Sequence, residues 1–292
     1  MSDAPVLYQK DGRLAFVTFN RPAKLNAIND AVLDAFDEAL EEARLDPSVM
    51  LVVIQGAGRA FSVGQDLSGE GTRYTVPPDP RHKPYMNEIF LDEIRRRQRL
   101  QYIYDYPKQT IARVHGYCLA MALDIAMCCG TLIASDDAIF GDPSVRAGYA
   151  SPNPLWSWKV GFRRSRDLLL TGRNFTAAEA FKYGLVTKVV SLAELDEEII
   201  ESAEALLRSG GMGGEDHRVA YAVFARGMTN AAGLQTAWDF TSGVTALSAV
   251  QRRGFREQDY NFWQTREEKG LKAAIEERDR PYREIFPEWP AK

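Results

Sequence analysis

At 292 residues, 45% hydrophobic and 26% charged, the chain can bury a core as one large domain or two modest ones, which excludes a disordered or collagen-like polypeptide. Thirty-six Lys and Arg against forty Asp and Glu leave a net charge of −4, so there is no global positive field to hold nucleic acid or an anionic bilayer. Cys118, Cys128 and Cys129 are odd in number and two are adjacent, which makes a disulfide framework unexpected, and no apolar secretory segment lies between Met1 and Lys10; the expected compartment is cytoplasmic.

The first strand signal is the β-rich run Leu14 to Phe19, followed by a helix from about Asp30 to Arg44 with Leu33, Phe36, Leu40 and Ala43 on one face. Asp46-Pro47 ends that helix, Met50 to Gln55 reads as a strand buried on both faces, and Gly56, Gly58 and Gly64 then break the chain. This is the grammar of βαβ units. From Ser68 to Arg81 the composition turns to Gly, Pro and charge, and Glu88 to Tyr106 then predicts a helix with a basic face at Arg95, Arg96, Arg97 and Arg99. That face either meets solvent or contacts a phosphate-bearing ligand or a neighbouring subunit. A strand at Thr110 to Val114, a helix at Ala122 to Cys129 and a strand at Leu132 to Ser135 continue the alternation. The run Gly116 to Ser135 is long and apolar enough to imitate a membrane span, but Asp124 at its midpoint and the breaks at Gly116 and Gly130 mark it as part of a buried soluble core.

Beyond Gly161 helices dominate. Thr176 with Glu179 and Ser191 with Glu194 have capping-box spacing, Gly184 stops the helix between them, and Leu185 to Val190 is the last strand signal. After the linker Gly210-Gly211-Met212-Gly213-Gly214 only helices are predicted, which divides the chain into residues 1–209 and residues 210–292. No internal repeat is visible.

His82, His115 and His217 are widely separated and no Cys-x-x-Cys or His-x-x-x-His spacing occurs, so no metal site is expected. Neither a phosphate-cradling Gly-rich loop nor a Gly-x-Ser-x-Gly elbow follows a strand. What remains are two glycine-broken junctions after apolar strands, Gly58 to Leu67 and His115 to Asp124. Amides exposed at such turns attract developing negative charge, and two of them converging would make an oxyanion hole.

Five segments in chain order resemble the crotonase, or enoyl-CoA hydratase/isomerase, superfamily. Asn20-Arg-Pro-Ala-Lys-Leu-Asn-Ala27 is similar to its first loop, Phe61-Ser-Val-Gly-Gln-Asp-Leu67 to its F-x-x-G-x-D-L turn, and Thr110-Ile-Ala-Arg-Val-His-Gly-Tyr117 to the strand before its active-site helix. Phe140-Gly-Asp-Pro-Ser144 and the stretch Thr176 to Val190 complete the series. The resemblance implies an α/β fold, a crotonase-type spiral of ββα units holding the acyl-CoA site in residues 1–209, with a C-terminal α-helical trimerisation region in residues 210–292. It also implies an acyl-CoA thioester substrate, no cofactor beyond the coenzyme A of that substrate, no nucleic-acid or membrane partner, and a homotrimer or dimer of trimers. Trp238, Phe240, Phe255 and Trp263 are apolar residues such an assembly would bury.

Carried onto the matching positions, the resemblance places the thioester carbonyl against the amides of Gln65 and Met121, each donor typically worth about 3 kcal/mol toward an enolate. Asp124 falls where family hydratases carry the first of two catalytic glutamates and where a dienoyl-CoA isomerase branch carries Asp. Burial among Met121, Leu123 and Ile125 would raise its pKa toward neutrality, as a general base requires; a structural Asp bonded to backbone amides is the other reading. Lys24, Ala60, Ser62, Asp66, Leu67, Ser144, Tyr149 and Trp156 are the substrate-binding candidates. Tyr149, Trp156 and Trp158 would suit a bulky or cyclic acyl group, or the tryptophans belong to the core.

Three departures from the family pattern matter. Leu119-Ala-Met-Ala-Leu-Asp124 replaces a run of glycines and crowds the site. Ser144 replaces the second glutamate, so two-glutamate hydration is not expected, and Asp142 is either a substitute or a turn residue before Pro143. Ala274 and Glu277 replace the Phe and Lys of the closing helix, Gly270 to Tyr282, which leaves Lys24, Arg21 or the arginines at 95–99 to meet phosphate. Three functions fit this set: a lyase or isomerase using Asp124, a C–C bond hydrolase or decarboxylase of the same superfamily, or a catalytically degenerate acyl-CoA binder.

Overall fold

The computed structural model describes residues 4–68, 85–148, 153–208, 224, 227–251 and 260–285. Strands β1 (Val6–Asp11) and β2 (Leu14–Phe19) form an antiparallel hairpin, and the strands after them run parallel: β3 (Leu51–Gly56), β4 (Gln109–Val114), β6 (Thr131–Ser135) and β9 (Lys188–Val190). The sheet order is β1-β2-β3-β4-β6-β9, and a second sheet holds β5 (Tyr117–Leu119), β7 (Ile139–Gly141) and β8 (Phe175–Thr176). Two successive turns of the chain give one strand to the large sheet and the next to the small one, β4 then β5 and β6 then β7, while the turns after β2 and β3 contribute only the single bridges Ile28–Gln65 and Ser62–Cys118; this is the expected spiral.

Alternation along β3 shows why its apolar run is unbroken. Val52 and Ile54 face the main core with helix α1 (Asp30–Leu45), while Leu51 and Val53 face a second core with Leu195, Ile199 and Ala203 of helix α7 (Leu195–Arg208). In α1 the Asn29 side chain accepts from the Val32 amide at 3.0 Å, capping the helix, and Val32, Leu33, Phe36, Ala39, Leu40 and Ala43 turn inward. Thr176 and Glu179 cap helix α6 (Ala177–Lys182) reciprocally, at 3.2 Å and 3.0 Å.

The apolar stretch 116–135 is divided among β5, helix α3 (Met121–Cys128) and β6, and among the described residues no helix is long and apolar enough to cross a membrane. The last strand begins later than the sequence suggests. Leu185 and Val186 donate to the Ala180 carbonyl at 3.0 and 3.4 Å, closing α6 after Gly184 turns at φ +79°, so pairing with β6 starts only at Thr187, whose amide donates to the Leu132 carbonyl at 2.8 Å, and continues through Lys188–Val190. Helix Leu234–Gln251 packs on helix α2 (Met86–Tyr104), burying Trp238; helices Phe262–Lys269 and Leu271–Ile285 follow. The glycine-rich linker at 210–214 and Phe255 lie outside the described residues.

Candidate active site

The two loops that follow β2 and β3 are tied by one buried side chain. Asn26, at φ +56° and 1% exposed, donates from Nδ2 to the carbonyls of Ala57 and Ala60, both at 2.8 Å, while its own carbonyl accepts from the Ser62 hydroxyl at 2.7 Å. Downstream, the Ile28 amide donates to the Gly64 carbonyl and the Asp66 amide to the Ile28 carbonyl, each at 2.8 Å. In such a parallel bridge the amide of Gln65 points to the opposite edge.

The second junction meets that edge. Ala120 adopts φ +49°, ψ −122° before the first residue of α3, and its amide donates to the Gly141 carbonyl at 2.8 Å. That conformation suits glycine and stores strain in alanine. It sets Met121 at the first position of the helix, where an amide has no intrahelical acceptor.

Gln65 and Met121 line one cavity of about 720 Å³, together with Lys24, Asp66, Leu67 and Ser144. Trp263, Leu271 and Ile275 close it from the C-terminal helices of the same chain. Those helices are fastened by charge: Arg146 Nη1 lies 2.7 Å from Asp279 Oδ1 with both groups buried, Arg278 binds the same carboxylate, and Arg266 donates to the Leu67 carbonyl at 3.0 Å. Burial, with the Arg278 charge next, lowers the pKa of Arg146 to about 10. Asp66 is buried, but its bonds from Ser68 and Arg21 overcome that and hold its carboxyl below the usual range.

Asp124 is 1% exposed. Its Oδ2 lies 2.7 Å from Arg96 Nη2 and its Oδ1 accepts from Asn153 Nδ2 at 3.0 Å, so its partners are side chains and not backbone amides. Burial pushes its pKa up to about 6; the Arg96 charge opposes and the Asp142 charge reinforces the rise. Asp142 is a turn residue, as one of its two sequence readings had it. Its Oδ1 accepts from the amide of Ser144 at 3.0 Å and from the Ser144 hydroxyl, and burial raises its pKa against those bonds.

Other candidates sit elsewhere. Ala60 and Ser62 are fully buried and hold the loop to Asn26 without lining the cavity. Trp156 is core, 1% exposed and edge-on to Phe175 at 6.1 Å. Tyr149 lies outside the described residues. Arg95 to Arg99 do not form one face, because consecutive helical residues are about 100° apart. Arg95 is exposed beside Asp92, Arg96 turns inward, Arg97 pairs with Asp239, and Arg99 lies 2.8 Å from Asp37. Sequence reasoning missed the Arg96–Asp124 pair, the buried Glu93, and the Arg146–Asp279 pair. The spacing of Ile89, Glu93, Arg96, Leu100 and Ile103, alternately four and three residues, was the signal for the first two.

The family model for enoyl-CoA hydratase/isomerase matches residues 9–231. The chain is 34% identical over 207 residues to the short-chain-enoyl-CoA hydratase of Clostridium acetobutylicum, covering 69% of this chain and 75% of that one. Against the hydroxycinnamoyl-CoA hydratase-lyase of Pseudomonas fluorescens it is 32% identical over 204 residues, covering 68% and 70%. An enoyl-CoA hydratase/isomerase structure from Xanthobacter autotrophicus Py2 superposes with a TM-score of 0.84 at 26% identity, over 96% of this chain and 99% of that one. By this match over residues 9–231, these identities and this shared fold, the chain belongs to the enoyl-CoA hydratase/isomerase, or crotonase, family of enzymes.

Proposed function

We propose that the chain binds an acyl-CoA thioester in the 720 Å³ cavity, holds the thioester enolate between the amides of Gln65 and Met121, and moves the Cα proton with Asp124. The observation that carries this reading is the meeting of the two loops on one cavity wall; the buried Asp124 lies behind that wall, 2.7 Å from the cavity-lining Arg96, and burial raises its pKa to about 6, a value suited to proton transfer near neutrality. Lys24, Arg59, Arg278 and Arg283 line the same cavity and would meet the phosphates of coenzyme A; no other cofactor enters this scheme. Asp124→Asn should lower turnover by about two to four powers of ten while calorimetry shows acyl-CoA binding nearly intact. Unchanged turnover would remove Asp124 from the mechanism.

Ser144 favours an outcome other than two-carboxylate hydration, since its hydroxyl is spent on Asp142 and supplies no second acid. Isomerisation needs one shuttling carboxylate, and C–C cleavage or decarboxylation through the same enolate is the second reading. Product analysis with an enoyl-CoA and a β-keto acyl-CoA separates them. A trimer or dimer of trimers is also proposed, with residues 210–292 as its oligomerisation region. Trp238 is buried within the chain, Trp263 is half-buried on the cavity wall, and Phe224, Met228 and Phe240 remain exposed. Sedimentation as a 32.7 kDa monomer would refute assembly. Three free, buried cysteines accord with a reducing, cytoplasmic setting.

A further inference from the structure

Helix α2 puts Ile89, Glu93, Arg96, Leu100 and Ile103 on one stripe turned toward α3. Ile89, Glu93, Leu100 and Ile103 are at most 7% exposed, and the Arg96 side chain is 19% exposed. Charges on such a stripe are costly unless they meet opposite charge. Arg96 meets two acids: Nη2 lies 2.7 Å from Asp124 and Nη1 lies 3.7 Å from Glu93. Arg96 also lines the cavity that holds Gln65, Met121 and Ser144, whereas Asp124 lies behind that wall.

We infer that Arg96 is the positioning residue for Asp124: from helix α2 its guanidinium fixes Oδ2 and supplies the charge that keeps this buried carboxylate ionised among competing acids. The inference deepens the reading of Asp124 as the proton-transfer group and rests on it for its catalytic meaning. Among the described residues the groups around Asp124 are few. Helix α2 presents Arg96 and Glu93, the turn after β7 presents Asp142, and the segment before helix α4 (Leu155–Val160) presents the neutral amide of Asn153. Cys118 of β5 and Cys128 of α3 are thiols raised by burial and carry no charge near neutrality, and Lys159 of α4 acts on Cys128 and Cys129. Among the described residues Arg96 is therefore the cation in contact with Asp124, set against Asp142 and Glu93. An opposite charge within about 4–6 Å commonly moves a carboxyl pKa by about 1–3 units, so its removal should move Asp124 by that much.

The test follows the infrared band of the protonated Asp124 carboxyl against pH, identified by its loss in Asp124→Asn, in the full chain without substrate. In Arg96→Gln the midpoint should rise by about 1–3 pH units. In Glu93→Gln, a milder change that removes the acid 3.7 Å from the guanidinium and keeps the Arg96–Asp124 contact, it should fall, and this variant decides the matter if the arginine variant does not fold. The acidic limb of turnover should move with the band. Midpoints that stay at the wild-type value overturn the inference whatever the activity. A band that moves while Asp124→Asn keeps wild-type turnover leaves Arg96 in control of Asp124 and removes the general-base reading alone.

Discussion

A Cβ built on Gly64 would lie 3.1 Å from the Cβ of Ala120 and 2.5 Å from the Leu119 carbonyl oxygen. The loops that carry Gln65 and Met121 thus touch through backbone, at a residue whose φ of +83° already favours glycine. Gly64→Ala should strain both loops at once. We expect a stability loss of about 1–3 kcal/mol and a fall in kcat of about 100-fold, because an amide displaced by a fraction of an ångström no longer points at the oxyanion. Urea unfolding and steady-state kinetics check the two effects, and wild-type kcat would show that the loops' contact does not set the amide geometry.

Asp124 titrates at about 6 in the fold against 3.8 outside it. Between those values the native chain holds a proton that the unfolded chain releases, so this group's stabilising contribution is fully present below 3.8 and is lost as pH rises through about 6. Relative to Asp124→Asn, the unfolding free energy of the wild type should fall across that window, with a slope approaching about 1.4 kcal/mol per pH unit, and level off above about pH 7. Parallel curves for the two proteins would show an ordinary carboxyl at this position.

Ser144 donates twice to Asp142, from its amide at 3.0 Å and from its hydroxyl. Ser144→Ala keeps the first bond and removes the second, at a cost of about 1 kcal/mol in stability. The rate should change less than tenfold, since an unactivated hydroxyl does not transfer protons in place of a carboxylate. A loss beyond a hundredfold with folding and binding intact would put the serine in the mechanism.

Arg146 and Asp279 are separated by 133 residues and meet at 2.7 Å out of solvent. Breaking one side of a buried pair typically costs about 3–5 kcal/mol. Because this pair fastens the helix that closes the cavity, Asp279→Asn should raise amide exchange within residues 271–285 and raise KM for an acyl-CoA at least tenfold, with a smaller change in kcat. Unchanged exchange in that helix would show that its apolar contacts suffice.

What the sequence made legible was periodic. The stripe of α1 and the apolar run of β3 are local signals, and both elements lie within a residue or two of their expected bounds. β5, β7 and β8 span two or three residues each, too short for any alternation to register. The site divided in the same way. Lys24, Gln65, Asp66, Leu67, Met121 and Ser144, on motif loops, line the cavity, whereas Ala60, Ser62 and Asp124 are buried behind it and Trp156 belongs to the core, because the aromatic character that suggested an acyl pocket equally suits the core. The spacing along α2 turns Arg96 inward but does not say which acid it meets, and the pairing of Arg146 with Asp279, 133 residues away, leaves no pattern along the chain.

The Asn26 side chain has a consequence for how a ligand arrives. By locking the loops at 21–27 and 57–62 into one rigid floor, it removes the ordering entropy that a mobile floor would lose at each binding event. Entry and exit then fall to the opposite wall, where Trp263, Leu271 and Ile275 belong to helices held by a few charged contacts. Loosening those charged contacts, as in Asp279→Asn, is accordingly expected to shorten the residence time of a bound acyl-CoA more than it changes the association rate.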